Sequence, residues 1–199
     1  MIMKDKVILT DCDGVLLDWE YAFTRWMDRH GYQPTDTTQY SIDKRFNLEK
    51  TESKKLVRMF NESASIRKVP PLRDAIKYVK KLHEEHGYVF HAITSLSDDE
   101  YAQHLRTKNL CELFGNTTFE KYVYLDCGAD KDKALYEYAN TECYWIEDKL
   151  ENAECGVVMG LNSIIMAHNY NINSPATPLG PFPRVNNWKE IYHMITDQV

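Results

Sequence analysis

A chain of 199 residues with 43% hydrophobic side chains reads as an ordinary soluble globular protein, long enough for one good core and a small accessory unit. Its net charge of −6 argues against a surface built to hold nucleic acid, because phosphate backbones need clustered Lys and Arg. No apolar run approaches a membrane span, and the first six residues do not open a signal peptide. The five cysteines are odd in number and scattered without C-x-x-C spacing, so they read as reduced thiols of a cytoplasmic protein, with neither zinc site nor disulfide framework.

The first element is a short buried strand, Val7-Ile8-Leu9-Thr10, which runs into Asp11-Cys12-Asp13-Gly14. From 19 to 69 the pattern is helical, with Trp19, Phe23, Trp26, Met27 and His30 on one face and Leu56 and Phe60 on one face of a later helix. An insert of about 50 residues is too long for a βα loop and reads as a helical cap placed after the first strand. Pro70-Pro71 then signals a helix start; Leu72, Ala75, Ile76, Val79 and Leu82 carry its inner face, and Gly87 closes it. Strands follow at 88–93, 121–125, 143–146 and 163–167, with a shorter helix at 130–139 capped by Asp130. The Pro- and Asn-rich stretch 169–184 reads as an irregular surface crossing, and a last helix turns Trp188, Ile191, Tyr192 and Ile195 inward. Strands alternating with helices predict an α/β fold, a doubly wound parallel sheet (1–18 and 70–199) with the cap at 19–69.

In a parallel sheet the carboxyl ends of the strands share one edge, where ligands bind. The polar residues delivered there are Asp11 and Asp13, Thr94 and Ser95, then Glu147 and Asp148, with Lys131 opening a helix between the last two strands. Like charges held close repel and an unpaired buried carboxylate is costly to desolvate, so the acids call for a cation. Lys131 and Lys133 compete as the local lysine; Lys131 shares the inward face of Ala134 and Leu135, whereas Lys133 lines up with Tyr136 and Glu137.

Asp11-x-Asp13-Gly-Val, Ile93-Thr94-Ser95, Lys131 and Ile146-Glu147-Asp148 resemble, in order, the four motifs of the haloacid dehalogenase (HAD) superfamily. The resemblance implies a Mg²⁺-dependent phosphatase. Asp11 would be nucleophile and Asp13 general acid and base, with Thr94 on a phosphoryl oxygen and Lys131 neutralising charge. Asp11, Glu147, Asp148 and the Asp13 segment would hold the metal. The run from Asp11 to Trp19, then Gln39-Tyr40-Ser41-Ile42 and Val69-Pro70-Pro71-Leu72, looks like the 5′(3′)-deoxyribonucleotidase branch, in which an aromatic at the Trp19 position stacks on the base. That implies a (deoxy)nucleoside monophosphate as partner, with Trp19 and Ser95 as substrate contacts; a homodimer stays open, and no nucleic-acid polymer or membrane is expected. Two features depart from that branch. The fourth motif is Glu147-Asp148 where the branch has Asp-Asp, a pair also similar to sugar-phosphate mutases, and the lysine lies farther from it. The alternatives are therefore a sugar-phosphate phosphatase or mutase, and an inactive phosphate-binding module. Lys54, Lys55, Arg58, Arg67 and Lys68 read as a solvated helix face rather than a steering patch.

Overall fold

The computed structural model describes residues 6–172 and 182–197. Strand β1, Val7–Thr10, is buried along its whole length because it runs through the centre of the sheet. It pairs in parallel with β2 (Val89–Ser95) on one side and β4 (Tyr144–Glu147) on the other. Adding β3 (Phe119–Leu125), β5 (Asn162–Met166) and β6 (Arg184–Val185) gives a six-stranded parallel sheet of order β3-β2-β1-β4-β5-β6. Successive residues of a strand enter opposite layers. Ile8 packs with Phe90 and Ile146 in the larger core, while Leu9 packs with Ile93 and Trp145 in the smaller one.

Between β1 and β2 the chain forms α1 (Trp19–Arg29), α2 (Ile42–Phe46), α3 (Lys50–Asn61), a 3₁₀ turn (Ala64–Lys68) and α4 (Ala75–His86). Phe23 is the hub of the inserted helices: it stacks on Trp19 and meets Phe46 and Phe60 edge-on. The two stems of the insert run side by side, with Asp18 N–H on the Pro70 carbonyl and Leu72 N–H on the Leu16 carbonyl, both at 2.8 Å. That pairing corrects the expected helix start. The backbone around Pro70-Pro71 is committed to the stem, so α4 begins only at Ala75, and it ends as expected on Gly87 in the left-handed region.

Past β2 come α5 (Glu100–Phe114), α6 (Asp132–Tyr136), α7 (Leu150–Val158) and α8 (Trp188–Thr196). The helix expected at 130–139 shrinks to α6, with Lys131 rather than Asp130 at its cap. Ending there lets Tyr138 turn inward, where its hydroxyl meets His91 Nδ1 at 2.8 Å. Helix α5 has no apolar stripe to announce it, since two of its buried residues are Arg106 and Asn109. Of the stretch read as irregular, 173–181 lies outside the described residues, and Arg184–Val185 adds the edge strand β6. Trp188, Ile191 and Ile195 are buried as expected, with Tyr192 packed at the margin of the core. Among the described residues no helix is long and apolar enough to cross a membrane.

Candidate active site

All six strands point the same way, so their carboxyl ends open into one cavity of about 610 Å³. Asp11, Asp13, Ser95, Lys131 and Asp148 line it from the sheet side, and Trp19, Tyr40 and Lys54 line it from the insert between β1 and β2. Asp11 leaves β1 with its Oδ1 accepting from its neighbour Cys12 N–H at 2.7 Å and its Oδ2 3.0 Å from Lys131 Nζ. Lys131 is buried and also donates to Glu147 Oε1 at 2.7 Å. Lys133 is exposed, so the lysine at the site is Lys131.

Glu147 is saturated. Its Oε1 accepts from Lys131 and from Asn152 Nδ2, and its Oε2 accepts from the N–H groups of Asp148 and Lys149. Each carboxylate oxygen has about two acceptor sites, so Glu147 has none to spare, whereas Asp11 and Asp148 do. One oxygen from each of Asp11, Glu147 and Asp148 falls within a 4.8 Å cluster. Asp13 is not part of it. Its carboxylate lines the same cavity but is paired to the fully buried Arg106 of α5, with contacts of 2.6 and 3.3 Å. The expected contribution of the Asp13 segment to a metal would then come from its backbone, since the Asp13 side chain is engaged in an ion pair.

Three carboxylates against one ammonium leave two negative charges in a buried site. Burial, reinforced by Glu147 and Asp13 and opposed by Lys131, pushes Asp11 up to about 6. Burial with Glu147 and Asp11 nearby raises Asp148 well above the usual carboxylate range. Glu147 moves the other way: burial opposes ionisation, but the Lys131 charge and the hydrogen bonds outweigh it. A hard, oxygen-seeking divalent cation fits this donor set, because it would cancel the excess charge and take the acceptor sites left open on Asp11 and Asp148. Gly14 belongs to the same packing: its φ is +75°, and a Cβ there would collide with the Asp148 carboxylate.

The raised carboxylates have a sign that can be tested. A group whose folded pKa exceeds its unfolded value stabilises the protein below the unfolded pKa, and that contribution is lost as pH rises through the folded pKa. In EDTA, Asp11 should therefore remove about 3 kcal/mol of stability between pH 4 and pH 7. Urea unfolding at pH 5 and 7.5 should show wild type weakening relative to Asp11→Asn as pH rises; parallel curves would contradict it.

Ser95 reaches the cavity, its Oγ donating to the Ala129 carbonyl at 3.1 Å. Thr94, expected on a phosphoryl oxygen, does not: it alternates to the other face of β2, buried, with no hydrogen-bond partner for its Oγ1 among the described residues. Trp19 lines the cavity and also belongs to the aromatic packing of the insert, with one ring face on Phe23 at 4.5 Å and Nε1 on Asn61 Oδ1 at 3.0 Å. Lys54 and Arg58 line the cavity, Arg58 paired to Asp126, whereas Arg67 and Lys68 pair with Glu112. Arg106, Asn152, His168 and Tyr170 were not singled out by the sequence. No motif marks them, since each acts alone from a helix or turn.

Parallel sheet, strand order and strand-end carboxylates together give the chain a Rossmann-like haloacid dehalogenase fold. Its structural neighbours are hydrolases and phosphatases of that superfamily. A haloacid dehalogenase-like hydrolase from Streptococcus pneumoniae superposes with a TM-score of 0.68 at 16% identity, covering 98% of this chain and 100% of that one. A HAD family hydrolase from Deinococcus radiodurans, solved with phosphate and sodium bound, gives 0.62 at 17% identity, covering 96% and 95%. In sequence, the chain is 29% identical over 197 residues to an uncharacterized 32.4 kDa protein of the Gp30-rIII intergenic region of Enterobacteria phage T4, covering 92% of this chain and 67% of that protein. No family model matches.

Proposed function

We propose that the protein is a Mg²⁺-dependent phosphomonoesterase acting on a small substrate, a 5′(3′)-deoxyribonucleotidase in its preferred specificity. The observation that carries the reading is the separation of two acids from one strand end: Asp11 sits in the Lys131–Asp148 cluster, and Asp13 is held apart by Arg106. Asp11 is then free to attack phosphorus, forming its O–P bond as the bond to the leaving oxygen breaks. Asp13, entering the first step protonated, gives that proton to the leaving oxygen, and the carboxylate so formed, held by Arg106, takes one back from the water that cleaves the aspartyl-phosphate. Lys131 neutralises the nucleophile and the incoming phosphate, and Ser95 offers the hydroxyl at the cavity wall. Asp11 and Asp148 would hold the Mg²⁺, with Glu147 fixing Lys131 and the Asp148 backbone; the ion supplies charge neutralisation and a template for the phosphate.

In this reading residues 19–69 act as a cap over a core made of 1–18 and 70–199. A volume of about 610 Å³ falls in the range of small-molecule sites, and Trp19 gives it an aromatic wall on which a nucleobase would stack. The Glu147-Asp148 pair favours a second reading, a sugar-phosphate substrate with the same chemistry. A phosphate-release screen over deoxynucleoside monophosphates and sugar phosphates, with Mg²⁺ or EDTA, separates them. Turnover of deoxynucleotides that disappears in EDTA is expected. Turnover surviving EDTA would overturn the mechanism, and turnover of sugar phosphates alone would overturn the substrate.

A further inference from the structure

The turn after β5 straps the two acidic loops together. Tyr170 donates its hydroxyl to Asp148 Oδ2. Asn171 Nδ2 donates to the Asp148 carbonyl at 2.8 Å and to the Met166 carbonyl at 2.9 Å, and its Oδ1 accepts from His168 N–H. His168 Nε2 reaches the Gly14 carbonyl at 2.7 Å, on the loop that follows Asp11 and Asp13. Burial keeps that imidazole below its ordinary pKa, consistent with a neutral ring donating from Nε2. One short turn therefore holds both carboxylate-bearing loops, and Gly14 leaves it no slack, since an added Cβ would stand 3.1 Å from the Tyr170 hydroxyl.

The rings continue outward. His168 and Tyr170 stack with centroids 5.0 Å apart and planes within 4°. Tyr40, which is 52% exposed and lies between α1 and α2, meets Tyr170 edge-on at 5.1 Å. All three line the cavity, so a ladder of rings leads from the inserted helices to the acid cluster.

We propose that Tyr170 is a positioning residue for the cation site, and that Tyr40 carries the position of the insert to it. The proposal rests on the reading of Asp11 and Asp148, beside Glu147, as a cation site. The Tyr170 hydroxyl holds Asp148 Oδ2 and so the orientation of the carboxylate, the outer-shell role that orients a ligating carboxylate. Among the described residues Tyr40 makes no hydrogen bond or ion pair to the acids; it feels their charge directly and meets the Tyr170 ring edge-on, and the ring contact is the mechanical link between insert and site. Cation affinity then depends on how the insert sits over the sheet, and by linkage a bound cation favours the seated insert.

The test is Mn²⁺ affinity by titration calorimetry on the whole chain, with melting temperatures in EDTA as a control. Tyr170→Phe should weaken Mn²⁺ binding about 10-fold or more, the usual range for losing such a partner. Tyr40→Ala should weaken it by a smaller factor, and should add nothing in the Tyr170→Phe background. Unchanged or tighter binding in Tyr170→Phe overturns the positioning role, even if its melting temperature falls. Additive loss in the double variant overturns the relay through Tyr40. A wild-type chain that takes up no Mn²⁺ overturns the cation site itself, and this proposal with it.

Discussion

Replacing Asp11 with Asn should abolish phosphate release, by about 10⁴-fold or more, while leaving the cation-free protein more stable at pH 7.5 than wild type. The two effects have one origin. The carboxylate oxygen that would attack phosphorus is the one that burial keeps up to about 6, so ionising it works against the fold. An amide keeps the size and the hydrogen bond from Cys12 N–H but cannot attack, and it takes one charge out of a site with two in excess. Lys131 keeps Glu147 as its partner, so no ammonium is stranded by the change. A gain of about 3 kcal/mol is the upper bound from the displaced pKa, which for a chain of this length is several degrees in Tm. Phosphate release and melting in EDTA decide it. Activity within tenfold of wild type would remove Asp11 from the chemistry, and a lower Tm would mean that Lys131 already compensates its charge.

The largest loss of stability should come from Arg106→Met. Arg106 is fully buried, makes two contacts to Asp13, and leaves its Nε without a partner among the described residues, where the Asp13 carboxylate is the one hydrogen-bond acceptor of this guanidinium. Removing one member of a buried pair usually costs about 3–5 kcal/mol, because the other is left uncompensated. The Asp13 side chain is 21% exposed and can recruit water, which places the expected loss at the lower end, about 3 kcal/mol or roughly 10 °C. Phosphate release should fall about 100-fold as well, because Asp13 loses the fork that orients it. Combining Arg106→Met with Asp13→Asn should recover much of the stability and none of the activity. Urea unfolding of the two single variants and the double closes the cycle. A single Arg106→Met as stable as wild type would show that the pair contributes nothing to the fold.

How far the sequence carries is clearest by comparing residues. Strand β1 and its two acids were legible because an all-apolar run stopped by Asp-x-Asp-Gly has few other uses. The Glu147-Asp148 pair was legible for the same reason at the end of β4. Arg106 was not, since a polar side chain in a helix reads as solvent-facing, and only the partner it buries against reveals otherwise. The same two polar residues, Arg106 and Asn109, hid α5 by breaking its apolar periodicity. Tyr170 sits in an Asn-rich stretch where its sequence neighbours carry no information about Asp148. Thr94 and Ser95 are adjacent, so choosing between them required the phase of the strand, which neither composition nor spacing fixes. Lys131 over Lys133 was inferable from the inward face, although the helix that was to present it proved shorter and began one residue later.

The indole N–H of Trp188 donates to the Val15 carbonyl at 2.8 Å, joining positions 173 residues apart. The acids at the end of β1 are the first part of the site to be synthesised and among the last to be framed. Lys131 and Glu147 must arrive before Asp11 has a countercharge, Tyr170 before Asp148 is pinned, and Trp188 before the loop carrying Asp13 is anchored from behind. Contacts this distant in sequence form slowly, because the long loops must close before they are rewarded. During translation, therefore, the front of the chain carries a pair of acids with no frame, and nothing shorter than the stretch from β1 to α8 holds the whole arrangement.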